Sequence, residues 1–171
     1  MTKTIIESKN KTVIIGFDEP FCVIGEKINP TGRRKLSLEI QENNFDTVKK
    51  DALEQSISGA QILDVNAGVV FNDNPDPNET EPVLMRKMVN LVQETVETPI
   101  CIDSSVPLAL KSGLEVANGR PLLNSVTGEE ERLEEICNNR DVEYDADLIQ
   151  YDMITDSEDM LHLINTKALD V

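Results

Sequence analysis

Six side chains stand where short apolar runs give way to polar residues. They are Glu26 and Asn29 in CVIGEKINPTGRR, Asp64 and Asn66 in QILDVNAG, Asp103 in PICIDSS and Asn124 in RPLLNSVTG. Each is a carboxylate or a carboxamide. A carboxylate accepts paired N–H donors, and an amide both donates and accepts, so the set suits a flat heterocycle bearing ring N–H, amino and carbonyl groups. Taken singly, an Asp, Asn or Ser at such a place starts the next helix as an N-cap, and that reading is preferred for Ser104, Ser105 and Thr127. It accounts poorly for Glu26, because the KINP that follows offers nothing to cap. It also accounts poorly for Asp64 and Asn66, which a long loop separates from the next helix.

Several other chemistries are excluded by pattern. No GxGxxG or GxxxxGKS/T loop is present to cradle a nucleotide phosphate, and no GxSxG or Cys/His arrangement supports acyl transfer. His162 is the sole histidine and has no second ligand near it in sequence, which argues against a metal site or a His-based triad. Cys22, Cys101 and Cys137 form no CxxC pair and read as reduced thiols of a cytoplasmic protein. The acidic stretch DNPDPNETE lacks the spacing of a calcium loop and reads as solvated surface.

The elements that must hold the six residues alternate regularly. TKTIIE and KTVIIG predict a hairpin over 3–16, and FCVIGEKIN a strand over 21–29. Phe45, Val48, Ala52, Leu53 and Ile57 predict a helix over 43–58 with Asn43 or Asn44 as cap. A strand follows at 61–68, then a loop over 71–80. Thr80 opens a helix carrying Val83, Leu84, Met88, Leu91 and Val92. A strand at 99–105, a helix at 105–119, a strand in 120–128 and a helix beginning GEEERLEEI complete the series. Strand-helix alternation at this spacing predicts a parallel sheet, in which ligands sit at the carboxyl ends of the strands. All six polar residues lie at such ends.

The chain has 171 residues and a formal net charge of −16. That length suits one domain, and that charge disfavours nucleic acid and anionic membranes as partners. The N-terminus shows no leader peptide, and no apolar run is long enough to span a bilayer. From Cys137 onward the sequence is more acidic and its apolar runs are shorter, although Asp147–Met153 has strand character and Ser157–Ile164 helical character. The expected organisation is a hairpin over 1–20, a half barrel over 21–136 and a divergent acidic tail over 137–171.

VIGEKINPTGRR, GAQILDVNAG, PICIDSS and RPLLNSVTGEEERLEE, in register from Phe21 to Ile136, together resemble the pterin-binding domain of methyltetrahydrofolate:corrinoid methyltransferases. The resemblance implies an α/β fold, a partial TIM-type (β/α)8 barrel distantly similar to dihydropteroate synthase, with about four βα units plus the hairpin. It implies that Asp103 and Asn124 hydrogen-bond a pterin ring, with Glu26, Asn29, Asp64 and Asn66 lining the same pocket. The family's chemistry moves the N5 methyl of methyltetrahydrofolate to the cobalt of a corrinoid (cobalamin) on a partner protein. N5 must gain positive character for that step, through a proton or a hydrogen bond.

The chain also departs from the family. A complete barrel takes roughly 250 residues, and the segment after Ile136 offers no counterpart to the asparagine that contacts N5, so no catalytic residue is assigned. A partial barrel leaves sheet edges uncovered, which implies a homo-oligomer, another covering partner or an alternative packing of the tail, with weak or no activity for the chain alone unless it assembles. Two alternatives stand beside the methyltransferase reading: a non-enzymatic folate-binding or structural remnant, and a dihydropteroate synthase-like enzyme. The latter lacks its expected Ser-Thr-Arg-Pro loop here. Arg33 and Arg34 read either as solvated surface or as contacts for the glutamate tail of a folate.

Overall fold

The apolar runs ILDVN, ICID and LLNSVT become neighbouring strands of one parallel sheet, since strands covered on both sides carry apolar residues on both parities. The protein is described by a computed structural model over residues 3–69, 76–127 and 147–151, with 125–127 and 147–151 as backbone only. The strands are β1 (Thr4–Glu7), β2 (Thr12–Ile15), β3 (Ile24–Ile28), β4 (Ile62–Asn66), β5 (Ile100–Asp103), β6 (Leu122–Thr127) and β7 (Asp147–Tyr151). The helices are α1 (Arg34–Gln41), α2 (Asp46–Ile57), α3 (Pro77–Thr95) and α4 (Pro107–Leu114). β1 and β2 make the expected antiparallel hairpin, with Thr4 opposite Ile15. β3 to β7 lie side by side in chain order, all parallel.

Parallel neighbours joined in sequence order must cross over in one, right-handed sense, which sends every connecting helix to the same face. Alternation along the strands identifies the two faces. Leu63, Val65, Ile100, Ile102 and Leu123 meet the helices, packing with Leu36, Ile40, Val48 and the α3 stripe. In that stripe Met85, Met88, Val89 and Val92 are each 0% exposed. Burying one such side chain contributes roughly 1.5–3 kcal/mol, which fixes α3 against the sheet. Ile62, Cys101 and Leu122, on the other parity, pack with Ile6 of the hairpin. Helices outside, strands in sequential order and an inner face closed at one end by a hairpin make this α/β fold an arc of a (β/α)8-type barrel.

The hairpin is pinned by a reciprocal backbone pair. Glu7 N–H donates to the Arg120 carbonyl at 2.8 Å, and Arg120 N–H donates to the Glu7 carbonyl at 2.9 Å. The approach is so close that a Cβ on Gly119, whose φ is +79°, would lie 2.5 Å from the Glu7 oxygen.

Several local expectations are revised. Helix α1 was not foreseen; it buries only Leu36 and Ile40, a single pair four residues apart. In α2 the buried residues are Val48, Asp51, Ala52 and Gln55, while Leu53 and Ile57 face solvent. Helix α2 starts at Asp46 with Phe45 at its N-cap and no side-chain cap, so neither Asn43 nor Asn44 caps it. Asn44 Oδ1 accepts the Asp46 N–H at 3.0 Å from just outside the helix. Helix α3 begins at Pro77 rather than Thr80, because Asp76 caps it by accepting the Asn78 N–H at 2.9 Å. Its buried side is Glu81, Met85, Met88, Val89 and Val92, and Val83 is exposed. The tail segment with strand character supplies β7, which pairs with β6 (Leu123 opposite Leu148) and gives the sheet a fifth strand beyond the four βα units expected. The helices expected at GEEERLEEI and Ser157–Ile164, with Cys137 and His162, lie outside the described residues. Among the described residues no helix is long and apolar enough to cross a membrane.

Candidate functional site

The strand parity that places Ile62, Cys101 and Leu122 against the hairpin continues, toward the carboxyl ends, as Asp64 and Asn66, Asp103, and Asn124. Register aligns them: Asn66 pairs with Asp103 and Asp103 with Asn124, while Asp64 sits one step lower beside Cys101. Glu26 of β3 joins the same face. Its neighbour Gly25 faces the helices, where a Cβ would meet the Gln55 side chain.

The hydrogen bonding is tight at the top and incomplete below. Asn66 Nδ2 donates to Asp103 Oδ2 at 2.7 Å, and Asn66 Oδ1 accepts the Gly68 N–H at 2.8 Å. Asp64 is 4% exposed. The Cys101 thiol and the Asn124 side chain hydrogen-bond its carboxyl group, yet its buried Oδ2 has no partner. Burial first, then the Asp103 charge and more weakly that of Glu26, push the Asp64 carboxyl up to about 7. Asp103 is raised by burial, opposed by the Asn66 hydrogen bond and reinforced by Glu26. The Cys101 thiol is raised by burial, with the Asp64 charge adding, and so stays protonated as a donor.

Five of the six sequence candidates thus converge on one inner rim. Asn29 does something else: its Oδ1 accepts the Thr31 N–H at 2.9 Å and shapes the turn after β3. Among the described residues no three His, Cys, Asp or Glu side chains are arranged to hold a metal ion. The rim offers an unpaired buried carboxylate oxygen that can accept and carboxamides that can both donate and accept hydrogen bonds.

One further carboxylate was missed. Glu81 of α3, 8% exposed, accepts from the hydroxyl of Ser104, which is 2% exposed. Ser104 Oγ in turn accepts the Val106 N–H at 2.9 Å, and Ser104 N–H donates to the Asn124 carbonyl at 2.8 Å. Ser104 is a strut between α3, β6 and the start of α4, directly after Asp103. The signal was legible in principle: Glu81 lies four residues before Met85, on the buried stripe of the helix.

Residues 25–166 match the family described as pterin binding enzyme. The chain belongs to the pterin-binding enzyme family. The match continues well past Ile136 and includes β7. A methylcorrinoid:tetrahydrofolate methyltransferase of Eubacterium limosum is 34% identical over 115 residues, 66% of this chain and 38% of that protein. Among solved structures, the 7,8-dihydropteroate synthase of Vibrio fischeri ES114 superposes with a TM-score of 0.55 at 15% identity, over 86% of this chain and 48% of that one. The dihydropteroate synthase of Burkholderia cenocepacia gives a TM-score of 0.52, again at 15% identity, over 86% of this chain and 44% of that one. These two likenesses establish the barrel fold. This pterin-binding chain spans less than half the length of each of these three proteins.

Two cavities lie at opposite ends of the sheet. One of about 70 Å³, at the amino ends of the strands, is lined by residues such as Ser8, Asn10, Gln93, Glu97 and Asn118. Its polar groups satisfy one another: Ser8 Oγ donates to the Glu97 carbonyl at 2.6 Å and Asn10 Nδ2 to Glu97 Oε1 at 2.9 Å. The other, of about 350 Å³, opens at the carboxyl rim between the turn after β3 and Gly68.

Proposed function

We propose that the rim formed by Glu26, Asp64, Asn66, Asp103 and Asn124 binds the ring of a reduced pterin and presents its N5 for methyl exchange with a corrinoid carried by a partner protein. The observation that carries the reading is Asp64 Oδ2, a buried carboxylate oxygen with no protein donor. An unsatisfied buried acceptor is costly, and the 2-amino-4-oxo edge of a pterin supplies paired N–H groups that would complete it. Asp103 and Asn124, one register step above, would take the remaining edge, with Asn66 holding Asp103 in place. The Asp64 carboxyl, poised at about 7, can hold or release a proton as the ring changes its own charge.

The corrinoid cobalt, where present on the partner, supplies the methyl acceptor or donor. The name of the Eubacterium limosum relative puts tetrahydrofolate on the receiving side, the reverse of the direction expected from the resemblance. The same ring-binding groups serve either direction. This chain's part is to orient N5, keep it out of water and set its proton occupancy.

Calorimetry with methyltetrahydrofolate and with tetrahydrofolate tests the reading. Both should bind, and Asp64→Asn should weaken each about tenfold, the loss expected of a charge-assisted hydrogen bond. Absence of heat at millimolar ligand, with the chain folded by circular dichroism, would sink it. Methyl exchange with free cobalamin then separates an enzyme from a binding module.

A further inference from the structure

Cys101 sits at the seam of the inner face. Ile62, Leu122 and Ile6 of the hairpin pack with it on the apolar side, and Asp64, its register partner on β4, opens the polar side. The side chain is 1% exposed, so no ligand reaches the sulfur. A buried cysteine in such surroundings ordinarily serves as a small hydrophobe.

Its neighbour gives it a second task. Parallel strands in register place the Cys101 side chain beside the Asp64 carboxyl group, to which the thiol donates. Burial, with the Asp64 charge adding, keeps the thiol protonated, so the donor is always present. The Asp64 carboxyl receives this donor and the Asn124 side chain, and its buried Oδ2 receives none. The other groups facing it are carboxylates that repel its charge, Asp103 from β5 and Glu26 from β3. Only Cys101 and Asn124 hold the group in place, and they leave one oxygen open.

We propose that Cys101 is a positioning residue for the pterin site, its thiol hydrogen bond holding the Asp64 carboxyl group with Oδ2 free for the ligand. This rests on the pterin reading above and adds to it a residue that never touches the ligand. The choice of sulfur has a consequence. A thiol is a weak donor, so it fixes the direction of the carboxyl group while favouring the charged form only slightly. A hydroxyl there would favour the carboxylate more strongly, and an apolar side chain would favour the acid.

Two measurements on the full chain test this role, the first without ligand. The infrared S–H stretch of Cys101 is isolated as the difference between wild type and Cys101→Val. Above neutral pH it should lie below the free-thiol position, because a carboxylate is a strong acceptor. It should move up in Asp64→Asn, and in the wild type as Asp64 takes its proton. A free-thiol band that ignores both changes overturns the role, whatever the ligand does. The second measurement is calorimetry with methyltetrahydrofolate across neutral pH. Wild-type affinity should rise with pH around 7, as Asp64 becomes a charged acceptor. Cys101→Ser should keep the high-pH affinity and lower that midpoint by about one pH unit. Cys101→Val should raise the midpoint by about as much and weaken high-pH binding about fivefold, the loss of one hydrogen bond. A packing role reverses the order, since valine keeps the apolar contacts that serine disturbs. Equal midpoints in all three chains, or a valine variant that binds like the wild type, overturn the positioning role while the pterin reading stands. Failure of the wild type to bind overturns both.

Discussion

The same three strands behave oppositely at their two ends. At the amino ends, Ile62, Cys101 and Leu122 close on Ile6 of the hairpin, and the small polar cavity nearby is internally satisfied. At the carboxyl ends, the same parity carries Asp64, Asp103 and Asn124, with one buried oxygen unpaired and carboxylates set against one another. Period-two alternation puts both sets on one face, so the difference lies in residue type along each strand and not in topology. Apolar packing is concentrated at one end of the barrel arc and strained polar groups at the other, the arrangement expected if the two faces divide stability and binding as they do in barrel enzymes. A protein that removed the second end's tension would fold better and bind worse.

The largest expected effect breaks that division directly. The Asp64 carboxyl is raised from 3.8 to about 7 in the folded chain, so the folded state holds a proton that the unfolded state has released. Its favourable contribution is complete below about pH 4 and is lost as pH rises to about 7. Asp64→Asn removes this penalty. The variant should match the wild type in urea unfolding at pH 3.5 and exceed it by about 4 kcal/mol at pH 8, while ligand affinity falls. Parallel stability curves across this range would show that Asp64 is not strained by its surroundings.

The mirror-image change lies at the amino end. Gly119→Ala forces a Cβ to within 2.5 Å of the Glu7 carbonyl oxygen at a φ of +79°. Left-handed backbone and overpacking together should cost about 3 kcal/mol, seen as a lower unfolding midpoint, with pterin affinity unchanged at temperatures where the chain stays folded. A tenfold loss of affinity would mean that the two ends are coupled, contrary to the division.

Much of this division could be read from the sequence. The runs QILDVNAG, PICIDSS and RPLLNSVTG gave both the parallel strands and the polar side chains at their ends, because a strand's parity fixes its faces without tertiary information. The exact faces of the helices were less legible. Val83 and Leu53 looked like core residues by type, yet the buried stripes contain Glu81, Asp51 and Gln55, whose burial depends on partners far away in sequence: Ser104, Arg33 and the Lys27 N–H. Helix α1 escaped because two apolar residues four apart are too few to reveal a period. Asn29 looked equivalent to Asn66, but only three-dimensional structure shows one making a turn while the other also holds Asp103.

The smallest effect examines how the carboxyl end is kept in shape despite its charges. Burial raises Glu81, the Ser104 hydrogen bond opposes the shift and the Asp103 charge adds to it. Ser104→Ala removes the only opposing influence and also leaves the Val106 N–H without its acceptor. The loss should be about 2 kcal/mol at pH 8. It should shrink as pH falls through the raised titration of Glu81, before the ordinary carboxylate range is reached, because protonated Glu81 no longer carries a buried charge without its donor. Glu81→Gln keeps an oxygen for Ser104 and drops the charge facing Asp103, so it should be close to neutral at pH 8. In the double variant the Ser104→Ala cost should then fall by about half, the non-additivity expected of directly bonded partners. Equal costs at pH 4 and pH 8, with full additivity, would make Ser104 a turn former alone. The pH-dependent result would make Glu81 the group through which α3 supports the strand end that carries Asp103.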